Sequence, residues 1–192
     1  RLPAWSDDPT PLFPLGPSPR PCGGCGEPLR HAGVCVVIDV RAMPRPRTNP
    51  EFMQETLPDT LAPLQIGYEH ISELGGHRGK SRGAEASPNT YWRVRSFRNY
   101  ADYALTAPFA AGLARLRERG AEQRCVVMGA EAVWWRCHRR IIADYLLAAG
   151  DQVMHILGKS HVDVASLTPG AVIRSDGAVV YPAEDSAVEI KR

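Results

Sequence analysis

Cys137-His138-Arg139-Arg140, with Glu131 a short way upstream, gathers a thiol, an imidazole, two guanidiniums and a carboxylate into one stretch of chain. A thiol beside cations at a helix N-terminus has a depressed pKa and attacks electrophiles as a thiolate. Cys137 is therefore a candidate nucleophile, with a small buried hydrophobe as the alternative. His138 suits a general acid or base or an anion ligand, or a hydrogen-bonded structural histidine. Glu131 is placed to act as a base or to orient a partner, and Arg139 to turn toward a bound ligand. Trp134 and Trp135 stack on a base or sugar in one reading and pack a wall in the other.

A second set follows the apolar run that ends in Asp39. Arg41, Arg45, Arg47 and Asn49 occupy a loop stiffened by Pro44, Pro46 and Pro50. Open α/β sheets bind ligands beyond the carboxyl ends of their strands, so forked cations and an acid there read as an anion site. A third set lies between His77 and Arg98, where six Arg or Lys, Arg78 and Arg98 among them, face only Glu85. Within the glycine-rich loop from Ser72 to Tyr91 they read either as a solvated loop or as a clamp over an anion.

The elements that must position these residues follow from pattern. Val34–Ile38 is a continuous β-branched run typical of a strand buried on both faces, and Cys125–Met128 repeats that character. Strands are also expected over Ile66–Ile71 and Gln152–Leu157. Helices are expected over 51–63, with Pro58 straining it, over Phe97–Leu105, and over Phe109–Gly120 with Thr106 as N-cap. A last helix carries Cys-His-Arg-Arg in its first turn and stops at Gly150, a natural C′ residue. Arg140 and Asp144 are spaced on it as an exposed i,i+4 pair. Ser175-Asp176-Gly177 marks a C-terminal hairpin between Ala171–Arg174 and Ala178–Tyr181. The pattern implies an α/β fold: a three-layer, mostly parallel, Rossmann- or rhodanese-like sheet flanked by helices, with a C-terminal β-hairpin.

Domain organisation is one α/β domain over 29–182, a proline-rich lead-in over 1–28 that supports neither helix nor central strand, and a polar tail over 183–192. Cys22-Gly-Gly-Cys25 is half of a zinc-ribbon pattern, and no second C-x-x-C completes it, so no metal site is expected. The sequence names no cofactor. A net charge of +2 is far below that of a dedicated nucleic-acid binder. No apolar run is long enough to span a membrane, and the first residues lack signal-peptide character. Five cysteines form no disulfide framework, so a cytoplasmic location is the expectation.

Several motifs together resemble the bacterial and archaeal family called domain of unknown function 488. They are Asp39-Val-Arg41 with Pro44, Arg45, Arg47 and Asn49-Pro50-x-Phe52; Glu73-Leu-Gly-Gly76 with Arg78; Ser96-Phe-Arg98-Asn-Tyr100-Ala-Asp102-Tyr103; and Ala130-Glu131 followed by Trp135-Arg-Cys137-His138-Arg139. The resemblance runs from about Leu12 to Tyr181. It implies an α/β fold and a shared pocket, and it brings no activity. Relatives commonly carry Ile-Gly-His-Ser where this chain has Leu15-Gly16-Pro17-Ser18, and Cys where it has Gly129. That departure shifts the expectation from thiolate catalysis toward binding through Glu131, His138 and Arg139.

The leading functional expectation is a composite anion pocket for a phosphorylated or nucleotide-like small molecule, serving a hydrolase or transferase. Asp39, Glu131, Cys137 and His138 are its chemical groups. Arg41, Arg45, Arg47, Asn49, Arg78, Arg98, Trp135 and Arg139 are its ligand contacts. The alternatives are a nucleic-acid accessory protein of DNA repair or modification, and rhodanese-like sulfur transfer through Cys137. The sequence leaves the oligomeric state open.

Overall fold

The computed structural model describes residues 13–15, 29–30, 32–44, 52–79, 86–131, 133–156 and 162–183. Four short strands form its central sheet: β1 (Phe13–Leu15), β2 (Val36–Asp39), β3 (Gly67–His70) and β4 (Cys125–Met128). All pair in parallel, in the order β1-β4-β2-β3. The registers Asp39↔His70, Asp39↔Met128 and Leu15↔Met128 bring every strand to its carboxyl end at one level. The loops leaving β2, β3 and β4 therefore emerge side by side.

Strand residues alternate between two buried clusters, as the period of two requires. Val36, Ile38, Val40, Cys125 and Val127 pack with Ile71, Leu74, Tyr100, Phe109, Leu116, Ile141, Ile142 and Leu146 on one face. Val37, Val126 and Met128 pack with Leu29, Phe52, Leu57, Leu61 and Ile66 on the other. Burial on both faces is the reason the two central strands read as unbroken apolar runs.

Helix α1 spans only Leu57–Leu61 and passes into a 3-10 turn at Ala62–Leu64. The longer helix expected over 51–63 does not form, because Pro58 lacks an N–H and its ring excludes a preceding helical turn. It sits in the first turn of α1 instead. Helix α2 covers Arg95–Tyr103 and α3 covers Ala107–Glu122. Thr106 stands at the N-cap of α3 with extended backbone, but its hydroxyl points backward and donates to the Tyr103 carbonyl at 2.7 Å. Helix α4 covers Arg139–Ala148 and ends at Gly150, which adopts φ +85°.

Three features depart from the expected pattern. β1 lies inside the proline-rich lead-in; as an edge strand it tolerates Pro14. β5 (Met154–Ile156) does not extend the parallel sheet; it pairs antiparallel with β6 (Val162–Val164) and lies against β1. Asp144 is no exposed partner of Arg140. It is buried, accepting from the Thr168 amide at 2.8 Å and the Tyr181 hydroxyl at 2.7 Å, while Arg140 donates to the Thr168 hydroxyl. The chain returns across α4 after β6 and covers that helix face.

The hairpin β7 (Val172–Ile173) and β8 (Val179–Val180) forms across Gly177. Beyond it, the Tyr181 carbonyl accepts from the Tyr91 amide, the Tyr181 amide donates to Asn89 Oδ1, and Asn89 Nδ2 donates to Asp102 of α2. This polar lattice ties the C-terminal segment to α2 and α4, the two helices whose N-terminal ends border the carboxyl edge of the sheet.

Candidate functional site

The adjacent loops at the carboxyl ends of β2, β3 and β4 enclose a cavity of about 140 Å³. Arg41 and Ala42 line it from the β2 loop, Gly76 and His77 from the β3 loop, and Ala130 and Glu131 from the β4 loop. Ser96 and Phe97 of α2 and the segment Arg136–His138 complete it.

Local structure sets the reactive stretch. Trp134–Arg136 forms a 3-10 turn, closed where the Cys137 amide donates to the Trp134 carbonyl at 3.1 Å. Trp134 is held by stacking on His155 at 3.6 Å. Cys137 then runs extended and His138 is the N-cap of α4. Cys137 thus precedes the helix instead of occupying its first turn, because the tryptophan turn consumes the residues before it. Its sulfur still faces the end of α4 where helix amides lack intrahelical acceptors.

His138 has its tautomer imposed from across the fold. Its Nε2 lies 2.9 Å from the Val40 carbonyl, which can only accept, so Nε2 carries the hydrogen. Nδ1 is left facing Cys137 Sγ at 3.4 Å. The ring rests on Tyr100, whose buried hydroxyl donates to the Leu74 carbonyl. Gly76 lies against the other side, where any Cβ would overlap the imidazole.

Arg139 approaches the same sulfur from behind. Its Nε donates to Cys137 Sγ at 3.3 Å and its Nη2 to the Glu131 carbonyl, with the side chain almost wholly buried. Burial by itself raises the Cys137 pKa. The hydrogen bond and charge of His138, then the charge and contact of Arg139, overcome that and bring it down to about 6. That shift favours the thiolate at neutral pH.

Asp39 and Arg41 serve each other. The Arg41 guanidinium meets both Asp39 oxygens, with Nε–Oδ1 at 2.9 Å and Nη2–Oδ2 at 2.6 Å, and also donates to the Phe52 carbonyl. The Arg41 amide and the Tyr68 hydroxyl occupy what remains of the carboxylate. Asp39 is fully buried and does not line the cavity, so it is a brace for the β2 loop and not a base within reach of a ligand. Arg41 lines the cavity with two of its nitrogens already engaged.

Arg78 and Arg98 bond to backbone carbonyls and are not among the lining residues of the cavity. Arg78 bonds to the carbonyls of Ser72, Glu73 and Gly75 and lies over the Tyr103 ring at 3.8 Å. Arg98 spends Nε and Nη2 on the Trp92 carbonyl. Both satisfy irregular backbone that lacks ladder partners. Trp135 stands half-exposed beside Trp134, outside the lining, and Arg139 lies behind Cys137. Arg45, Arg47 and Asn49, together with Cys22 and Cys25, lie outside the described residues.

His77, Ser96, Phe97 and Arg136 line the cavity without having been singled out in the sequence. Their signal was position: each is next to, or inside, a motif already quoted. Among the described residues, no group of three His, Cys, Asp or Glu side chains is arranged to hold a metal ion, and no helix is long and apolar enough to cross a membrane.

A family model described as Domain of unknown function DUF488 matches residues 24–146, more than half of the chain. This chain belongs to the DUF488 family. The matched region contains β2, β3, β4 and every residue of the cavity, so the site of this DUF488 domain lies wholly within its family segment. No curated protein and no solved structure matches the chain.

Proposed function

We propose that this DUF488 domain binds the anionic head group of a phosphorylated or nucleotide-like ligand in the cavity. Cys137 then attacks that group as a thiolate, giving a hydrolase or transferase. The observation that carries the reading is Cys137 in the cavity lining, its sulfur 3.4 Å from His138 Nδ1 and 3.3 Å from Arg139 Nε. Cys137 is the one thiol among the described lining residues. The finer fold reading, a Rossmann- or rhodanese-like three-layer arrangement, belongs to the same proposal; it draws support from the parallel sheet with buried clusters on both faces.

For a phosphoryl group the electrons balance as follows. A Sγ lone pair forms the S–P bond as the P–O bond to the leaving group breaks. The leaving oxygen takes the proton that His138 Nδ1 received from the Cys137 thiol when the thiolate formed. Water or a second acceptor then attacks phosphorus, gives its proton back to Nδ1 and releases the thiolate. The positive charge of exposed Arg136 at the lining offsets the repulsion between thiolate and oxyanion.

Rhodanese-like sulfur transfer uses the same thiolate, with a sulfane sulfur as the electrophile, and stands as the second reading. The nucleic-acid reading loses Arg78 and Arg98, which are committed to carbonyls.

The test is a titration of the thiolate absorbance against a Cys137→Ser reference, with iodoacetamide labelling in the presence of phosphate, sulfate or a nucleoside monophosphate. The expected result is a midpoint near 6 and slower labelling with anion present. An ordinary thiol midpoint with no protection by any anion overturns the proposal. Mass gain of one sulfur atom on Cys137 after thiosulfate, with no anion protection, moves the reading to sulfur transfer.

A further inference from the structure

The cavity is too small for the ligand its surroundings are built to meet. At about 140 Å³ it falls below the roughly 300 Å³ at which pockets begin to enclose a whole small molecule. It has room for a small anionic group such as one phosphate. Whatever else the ligand carries must lie at the mouth.

The mouth has a distinct chemistry. The described residues include seven exposed large apolar side chains, and three of them stand within two residues of the lining: Met43 beside Ala42, Trp135 beside Arg136, and Val94 two before Ser96. Met43 is 75% exposed and Trp135 47%. Val94 is flanked in sequence by Arg93 and Arg95. Arg93, Arg95 and Arg136 are exposed, and among the described residues none of them is held by a hydrogen bond or ion pair. That sets them apart from Arg41, Arg78, Arg98 and Arg139, which are all committed to the protein itself.

Trp135 is also braced. It meets Trp134 edge to face at 5.8 Å, and Trp134 is stacked on buried His155. A fixed, half-exposed indole whose chain neighbour Arg136 lines the cavity with an unengaged guanidinium is the equipment for a flat aromatic group attached to a phosphate.

We infer that the ligand is a nucleoside monophosphate group, free or at the end of a single strand, with its phosphate in the Cys137 cavity and its base on Trp135. The inference rests on the anion-pocket reading above and narrows it. A free nucleotide and a strand end share this chemistry; Arg93 and Arg95 would add contacts only to the further phosphates of a strand.

The experiment measures protection of Cys137 from iodoacetamide in the full chain by inorganic phosphate, adenosine monophosphate, adenosine and a short 5′-phosphorylated oligonucleotide. Adenosine monophosphate is expected to protect at roughly tenfold lower concentration than phosphate, the advantage that one stacked base gives. Trp135→Ala should remove that advantage while leaving phosphate protection intact, and Trp135→Phe should retain most of it. An oligonucleotide that outdoes the mononucleotide, and loses its excess in Arg93→Ala and Arg95→Ala, identifies a strand end; equal protection identifies the free nucleotide. Phosphate protecting as well as the mononucleotide overturns this inference and leaves the anion pocket standing. Protection by neither overturns both. Undiminished nucleotide protection in Trp135→Ala overturns the placement of the base.

Discussion

Arg139 Nε lies 3.3 Å from Cys137 Sγ, and the guanidinium that carries it is 1% exposed. Its Nη2 goes to a backbone carbonyl and its Nη1 has no partner among the described residues. Burying a charge is costly unless it meets an opposite charge. The thiolate supplies one, so the two residues hold each other in their ionised forms.

Arg139→Met keeps the bulk of the side chain and removes the charge. The Cys137 pKa should climb from about 6 toward the ordinary thiol value of about 8.5. Arg139→Lys, retaining the charge, should recover part of the depression. Thiolate absorbance across pH reads both; a midpoint unchanged in Arg139→Met would show that His138 alone sets it.

Stability should fall as pH drops, in two windows. The folded Cys137 pKa lies below the unfolded one, so its contribution is complete above about 8.5 and fades as pH falls to about 6. Burial, with the Arg139 charge, pushes the His155 imidazole down to about 4. The unfolded chain therefore takes up that proton first, and stability drops again as pH falls from about 6.5. Each window spans roughly 3 kcal/mol at most, at about 1.4 kcal/mol per pH unit. Denaturant midpoints should lose the upper window in Cys137→Ser and the lower one in His155→Phe.

Gly129 backs directly onto the thiol. A Cβ there would stand 2.8 Å from Cys137 Sγ and 2.6 Å from Arg139 Nε. Gly129→Ala should cost about 1–3 kcal/mol through overpacking. Gly129→Cys should, under mild oxidant, close a disulfide with Cys137, since its Cβ is within bridging reach. Alkylation of Cys137 would then stop until reductant is added. Continued labelling after oxidation would argue against this approach of the two positions.

Tyr181→Phe separates stability from chemistry. It deprives buried Asp144 of one of its two short bonds and should destabilise the fold by about 1–3 kcal/mol. The Cys137 titration should be unchanged, because the Asp144 lattice lies along α4 on the side of the C-terminal hairpin. Urea unfolding and the absorbance titration check the two halves.

The strand runs at 34–38 and 125–128, the glycine stop at 150, the hairpin around Gly177 and the convergence of loops beyond Asp39 and Met128 could all be read from local residues. Periodicity, turn chemistry and glycine's access to positive φ act over a few positions, so the sequence alone determined them. The fates of the arginines could not be read that way. Arg78, Arg98 and Arg41 each meet acceptors that the fold brings near, and of the three only Arg41 also lines the cavity. Asp144 was lost to reading for the same reason: its donors, Thr168 and Tyr181, arrive from segments well down the chain. The state of Cys137 is the clearest case. The cysteine, histidine and arginine are neighbours in sequence, but the Val40 carbonyl orients the imidazole from another strand's end. Burial then makes the surrounding charges count. Proton affinity depends on three-dimensional partners and on exclusion of water, and only the tertiary structure decides those.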